Sequence, residues 1–429
     1  MNFRKFEKGI IMKRRFVMIT AFALAVLMLL TATSCSSASA SGLSGKYTRN
    51  QEDEGAVTED FTEAASKFAF DLFHATLTED GRNDLISPLS AMLCLALVTN
   101  GAEGETLAQL ENALGMKRDD LNRALYAYSA SLYNEEEQVH IANSIWFRDT
   151  DSLTVGEDFL QRNADWFGAD VYKKPFDSST VKEINGWVKE NTKDMIDSIL
   201  DSIDPSAVMY LMNALAFDAK WQWGYDKNDV IESDFQNADG TTSRADLMYS
   251  TEMTYLSGSG AEGFVKNYSG AGFSFVGLLP KNGTDAYALA RKLDGDAWLD
   301  LWNSRETTEV RAAIPEFSYE TESALNDALM SLGIEDLFSP FAADLSSLGK
   351  SKMGNLYCSS VRQKTFIDVG SEGTKAAAVT IIEVKYTCAE SPAIKQPKRV
   401  ILDRPFVYAI VDNTTGLPLF LGVVETVNG

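Results

Sequence analysis

Histidine is almost missing from this chain: His74 and His140 are the two in 429 residues. A histidine-dependent triad or zinc site would need one of them, and neither sits beside a nucleophile or a ligand cluster. HExxH and CxxC spacings are absent too. Both histidines read as ordinary helix or strand residues, and nothing points to an enzyme, a metal or a cofactor. Cysteine is scarce as well. The four, Cys35, Cys94, Cys358 and Cys388, supply no disulfide framework. Positive charge is short, 39 Lys and Arg against 61 Asp and Glu. A net charge of −22 repels polyanions and leaves no basic patch for nucleic acid. The apolar run at residues 16–30 is about 15 residues long, short for crossing a bilayer. No internal repeat is evident.

What that run does offer is an export signal. Lys13, Arg14 and Arg15 precede it, and Thr31, Ala32, Thr33, Ser34 and Cys35 follow, giving a basic start, an apolar middle and small residues at a cut. Cys35 after small residues resembles the lipobox of bacterial lipoproteins, with Ala32 where Leu is commoner. The resemblance implies cleavage after residue 34 and lipid on Cys35. The protein would then be held by its lipid anchor alone on the outer face of a bacterial membrane, at the cell surface, or released outside. Met12 is an alternative start to Met1. Losing residues 1–34 takes away a net charge of +5 and leaves the remainder near −27. Residues 36–44 are rich in Ser, Ala and Gly, and residues 49–60 are polar and acidic. Residues 35–60 therefore read as a flexible tether, and residues 61–429 as one folded domain. With Cys35 lipidated, three thiols remain; Cys94 lies in an apolar stretch and reads as core.

Along the folded part, Phe61, Ala65, Phe68 and Leu72 keep helical spacing, an amphipathic first helix over 61–77. Ser87 then suits a helix cap and Pro88 a first helical residue. The turns that follow are apolar all round, so this second helix should be buried. Thr106 and Gln109 fit a capping box for a third helix, closed at Gly115. Residues 139–147 are strand-like, and residues 171–200 hold a polar helix with Ile184, Trp187 and Val188. Residues 209–221 read as a central strand, in which Asn213 is unfavourable unless its amide is bonded. Residues 404–411 and 417–424 are apolar runs around a turn, a buried hairpin. Glycosylation sequons at Asn267, Asn282 and Asn413 carry no weight beside a bacterial export signal.

The rest of the chain is organised around residues 370–391. From Thr374 to Tyr386 the even positions, Thr374, Ala376, Ala378, Thr380, Ile382, Val384 and Tyr386, carry no charge. Lys375, Glu383 and Lys385 all fall on odd positions, so one face of this strand is fit for burial and the other carries the ions. A polar run, Cys388 to Lys398, follows and behaves as an exposed loop.

Glu372, Gly373 and Thr374, followed by Ala376, Ala377, Ala378 and Thr380, resemble the reactive-centre hinge of the serpins, suicide inhibitors of proteases. Ile86, Ser87, Pro88 and Ser90, with Gly101, Ala102, Gly104 and Thr106, resemble that family's buried helix behind the main sheet. Asn213, Trp221 and the hairpin continue the likeness in order over about 61–427. It implies an α+β serpin fold: a single domain with a large central mixed β-sheet, two smaller sheets, eight or nine helices and an exposed reactive-centre loop at about 370–398. It also implies inhibition, by cleavage of the loop and its insertion into the main sheet with the protease still attached. Counting from the hinge puts the scissile bond at Thr387–Cys388, with Lys385 and Tyr386 as alternative cleavage positions. Ser87, Ser90, Asn213 and Gln363 match the shutter that controls sheet opening, and Trp221 the top of the sheet.

Departures are few. Ser371 stands where Glu is usual, Lys375 where Glu is common, Glu316 where Lys is usual, and Gln363 replaces a shutter His. An amide at 363 can bond Asn213 or Ser87 without titrating. The implied partner is a serine protease, or a cysteine protease, bound as a covalent acyl complex by a monomer. The competing reading is a non-inhibitory serpin-fold surface protein, serving as protease substrate, ligand carrier or adhesin.

Overall fold

Thr58 opens the first helix, α1 (Glu59–Thr76). Its hydroxyl accepts from the Phe61 amide at 3.1 Å, and Glu59 and Asp60 set negative charge at the helix's positive end. Phe61, Ala65, Phe68 and Leu72 form part of its buried face, as the spacing predicts. The computed structural model describes residues 43, 46–50, 52–134, 136–281, 285–374 and 397–427. The signal at 1–34 with Cys35, and the loop residues Ala376, Ala377, Ala378, Thr380, Lys385, Tyr386, Thr387 and Cys388, lie outside the described residues.

After β1 (Asp84–Ile86), helix α2 (Pro88–Thr99) is capped by Ser87 and buried on nearly every side. Helices α3 (Gly104–Leu114) and α4 (Arg118–Leu132) follow, then β2 (Val139–Arg148), β3 (Leu153–Val155), α5 (Glu157–Phe167), β4 (Asp170–Lys174) and α6 (Ser178–Asn191). The next strands are β5 (Met209–Phe217), β6 (Ala219–Lys220), β7 (Val230–Gln236), β8 (Thr242–Gly258), β9 (Ala261–Asn267) and β10 (Phe273–Pro280). Two helices, α7 (Ala286–Ala290) and α8 (Gly295–Asn303), lead to β11 (Glu306–Pro315), β12 (Phe317–Ala324) and α9 (Asn326–Ser331). The chain ends in β13 (Gly349–Ser351), β14 (Arg362–Gly370), β15 (Gly373–Thr374), β16 (Lys398–Ile401), β17 (Phe406–Asp412) and β18 (Pro418–Val424).

Among the described residues the nine-stranded sheet runs β1-β18-β17-β10-β9-β8-β11-β16, with β7 also on β8. It is mixed: β11 and β16 are parallel and its other pairs antiparallel. The hairpin β17–β18 is buried along its whole length. Three smaller sheets are β12-β14-β15-β6, β4-β2-β5 and β13-β3. Helix α2 packs against both β5 and β18, so one buried helix bridges two sheets.

Residues 209–221 run as a strand interrupted at one residue: Met209–Phe217 pairs with β2, the Asp218 amide donates to Gln138 O at 2.9 Å in continuation of that register, and Ala219–Lys220 then pairs with β15. Two local expectations need correction. The capping box at Thr106 and Gln109 does not form. Glu103 is the cap residue, Thr106 Oγ1 accepts from the Asp344 amide, and Gln109 Oε1 accepts from the amides of Glu335 and Asp336. Those side chains satisfy a neighbouring segment that sequence spacing does not show. Lastly, the described part of the 35–60 tether lies on the body. Tyr47 is buried and donates to Glu157 at 2.6 Å, Arg49 lies 3.5 Å over the Tyr126 ring, and Asp53 pairs with Arg123. A composition average conceals two large side chains with partners.

Candidate functional site

Strand β14 carries alternating residues: Gln363, Thr365, Ile367 and Val369 are buried, and Lys364, Phe366 and Asp368 are half-buried. The chain turns at Ser371 and Glu372 and comes back as β15, antiparallel to β14 with Val369 opposite Thr374 and Gly370 opposite Gly373. On its other side β15 pairs with β6, Gly373 opposite Lys220 and Thr374 opposite Ala219. The first two residues of the hinge thus already lie inside a sheet. Gly373 has to be glycine for this, because a Cβ there would sit 2.2 Å from the Ala219 carbonyl oxygen. Thr374 is 4% exposed, and its hydroxyl meets the Tyr268 hydroxyl at 2.6 Å.

Trp221 organises the surroundings. Its indole N–H donates to Gly370 O at 2.9 Å, its backbone N–H donates to Glu372 O at 3.0 Å, and its ring stacks on Tyr268 at 4.5 Å. The Tyr225 amide donates to Ser371 O. Beneath them Lys266, 2% exposed, holds Glu252 at 3.0 Å, donates to Trp223 O and lies 4.3 Å from the Tyr225 ring. Burial pulls its ammonium below the usual lysine range, and Glu252 opposes that pull. Glu316, standing where Lys is usual, accepts from the Ser371 amide at 3.1 Å. Burial raises its carboxyl above the ordinary range, with that N–H bond acting the other way. The two departures at 316 and 371 therefore meet each other.

Of the two partners open to Gln363, the structure selects Ser87. Gln363 Oε1 accepts from the Ser87 amide at 2.9 Å, and its Nε2 donates to Ser87 O at 2.8 Å. Ser87 Oγ donates to Leu419 O and accepts from the Ser90 amide. This ties β14, the start of α2 and β18 together. Asn213 stands apart from that cluster. It lies opposite Asn143 in the β2–β5 register and donates to Asn143 Oδ1 at 3.0 Å, while its own Oδ1 is buried with no partner among the described residues. A buried acceptor left bare costs about 1–3 kcal/mol, so its state matters.

Sequence reasoning did not single out Tyr268, Lys266 or Asn143. The bare signals are a Tyr inside what reads only as a sequon, and an Asn within the apolar stretch at 139–147. Cys94 is half-buried by surface, with its thiol against Leu211 O, and burial pushes that thiol up to about 12.

A family model described as serpin (serine protease inhibitor) matches residues 63–427. Iripin-5 of Ixodes ricinus is 31% identical over 377 residues, 84% of this chain and 93% of the relative. Leukocyte elastase inhibitor A of Rattus norvegicus is 30% identical over 385 residues, 85% of this chain and 99% of the relative. The crystal structure of tengpin, a thermophilic serpin, in its native state gives a TM-score of 0.84 at 45% identity, covering 90% of this chain and 99% of that one. Tengpin in its latent state gives 0.78 at 44% identity, covering 87% and 100%.

Proposed function

The chain belongs to the serpin family, and from that premise we propose that it is an inhibitory serpin: a suicide inhibitor of serine endopeptidases, with cysteine endopeptidases the other admissible class. The observation that carries this reading is Thr374, buried in β15 between β6 and β14. Continuing both registers would set Ala376 against Ile367 and Phe217, Ala378 against Thr365 and Leu215, and Thr380 against Gln363 and Asn213. The β14 members of that series are all buried. Even loop residues would then enter on the core side, where bulk adds strain and charge is left unpaired. They are small there. Thr380 would bring a hydroxyl to the bare Asn213 Oδ1. Lys375, Glu383 and Lys385 would take the opposite face.

In this mechanism the protease serine oxygen adds to the Thr387 carbonyl. The Thr387–Cys388 bond breaks, the Cys388 nitrogen leaves with a proton, and Thr387 is held as an ester. Water would hydrolyse that ester unless insertion outruns it. A strand of residues 374–387 spans roughly 45 Å, enough to carry the protease to the far end of the sheet. Thr387 suits a small pocket, Tyr386 a large apolar one and Lys385 an acidic one. The rat and mouse relatives are named as elastase inhibitors, which supports elastase-like and then subtilisin-like targets. The same reading takes Cys35 as lipidated and the protein as an exported monomer on the outer face of a bacterial membrane.

The test is to mix the protein with trypsin-, chymotrypsin-, elastase- and subtilisin-type proteases and look for a covalent complex that survives SDS. Cleaved protein alone, with every protease, would leave the non-inhibitory reading as substrate, carrier or adhesin. For the anchor, fatty-acid labelling should mark the native chain and not Cys35→Ser.

A further inference from the structure

Two exposed arginines stand side by side at one end of the nine-stranded sheet. Strand β16 runs parallel to β11 with Arg399 in register with Arg311. Register partners in such a pair share a face, with their backbones about 4.8 Å apart. Neither arginine makes an ion pair or a hydrogen bond among the described residues. Glu309, two residues back along β11 and also exposed, pairs with neither. Like charges directly across a sheet repel, so this arrangement is destabilising unless something outside the chain neutralises it. It occurs in a chain short of cations, with 39 Lys and Arg against 61 Asp and Glu.

The surroundings suit contact. On β8, Thr251 opposes Arg311, and Met253, the next residue along the same face, is 58% exposed. In the other direction the face closes: Ala313 lies opposite Ile401 and Tyr249, and Ala313 and Ile401 are buried with Leu247. Arginine and methionine beside a small apolar cluster have the composition of a protein interface, and a guanidinium fork takes a carboxylate in a bidentate pair.

Position in the chain names the occupant. β16 is the first strand after the loop, and eleven residues lead from Cys388 to Arg399, at most about 36 Å of chain. A protease gripping the loop near residue 387 has its rim within that reach of the pair. Resting on the reading of residues 370–398 as a loop that proteases attack, we propose that Arg311 and Arg399 form a docking site for carboxylates on the rim of the attacking protease. The pair acts on encounter, before any bond is cut. Two positive charges on an acidic body steer and orient an acidic-rimmed enzyme, and salt weakens the effect.

The experiment measures the second-order rate at which anionic and cationic trypsin, with one cleft chemistry and opposite surface charge, cut the loop of the full-length chain. That rate is read whether the enzyme is trapped or turned over, so failure of inhibition alone does not decide it. Arg311→Glu/Arg399→Glu should slow anionic trypsin about tenfold at about 0.01 M salt and less than about twofold at about 0.3 M. Cationic trypsin should not slow. Arg311→Gln/Arg399→Gln should slow anionic trypsin about threefold, with a Tm level with or above the native one because a repulsion is gone. Lys350→Glu/Lys352→Glu, exposed lysines elsewhere with the same change in net charge, should slow it less than about twofold. Equal slowing by the lysine and arginine reversals would reduce the effect to net charge and overturn the docking site. Unchanged rates in the arginine variants, equal slowing of both trypsins, or no cleavage of the loop would overturn it as well. Loss of heparin binding with unchanged cleavage assigns the pair to a polyanion and also overturns the proposal.

Discussion

At the scale of single residues, one parity governs the hinge. Thr374 is buried against Tyr268 and Val369, so Thr374→Arg would put an unpaired charge into the sheet. The variant should be cleaved as a substrate, with no SDS-stable band from a protease that the native chain traps; undiminished trapping would refute the parity argument. Gly373→Ala should act in the same direction, raising the moles of inhibitor consumed per protease severalfold, because its methyl meets the Ala219 carbonyl. A third residue concerns acidity. Burial pushes the Glu425 carboxyl up to about 7 from its ordinary 4.5, with Asp285 and Asp84 adding like charge. The folded state therefore holds this proton more tightly than the unfolded chain. Its stabilising contribution is complete below about 4.5 and is lost as pH rises through about 7. Glu425→Gln should raise the Tm at pH 8 and flatten its decline between pH 5 and 8. An unchanged slope would show that Glu425 is solvated.

At the scale of elements, legibility in the sequence followed the distance between partners. Helix α2 and its Ser87 cap were plain, because cap and first turn are neighbours. The hairpin β17–β18 was plain for the same reason. The period-2 alternation around the hinge was readable, but not that its first two residues already lie between two strands; that depends on Ala219 and Val369 from separate parts of the chain. Tyr268, 106 residues from Thr374, could not be found by local pattern. The capping box failed because the 335–344 segment draws off both side chains. The described tether residues failed for a related reason: Tyr47 and Arg49 find partners on α4 and α5. Tyr47→Ala should therefore lower stability by about 2 kcal/mol and the Tm by a few degrees, measured by thermal unfolding. A loss below about 0.5 kcal/mol would return this segment to the status of a free tether.

At the scale of the whole molecule, β5 and β14 make no backbone pair with each other among the described residues, and β15 lies between their upper ends. A severed loop continuing that register would gain pairing on two edges. At about 0.5–1 kcal/mol per hydrogen bond, some ten bonds add on the order of 5–10 kcal/mol. For a body of this size that is upward of roughly 10 °C in Tm. Limited proteolysis near residue 387 should produce that rise in calorimetry, and a cleaved form melting where the intact one does would remove the driving force from the mechanism. The nine-stranded sheet has a separate consequence. Its β17 and β18 stand between β10 and β1, and no residue before 406 can take their place. A growing polypeptide therefore stays incomplete at its heart until these late strands leave the ribosome, so early stretches must wait, unclosed, for the last-made ones.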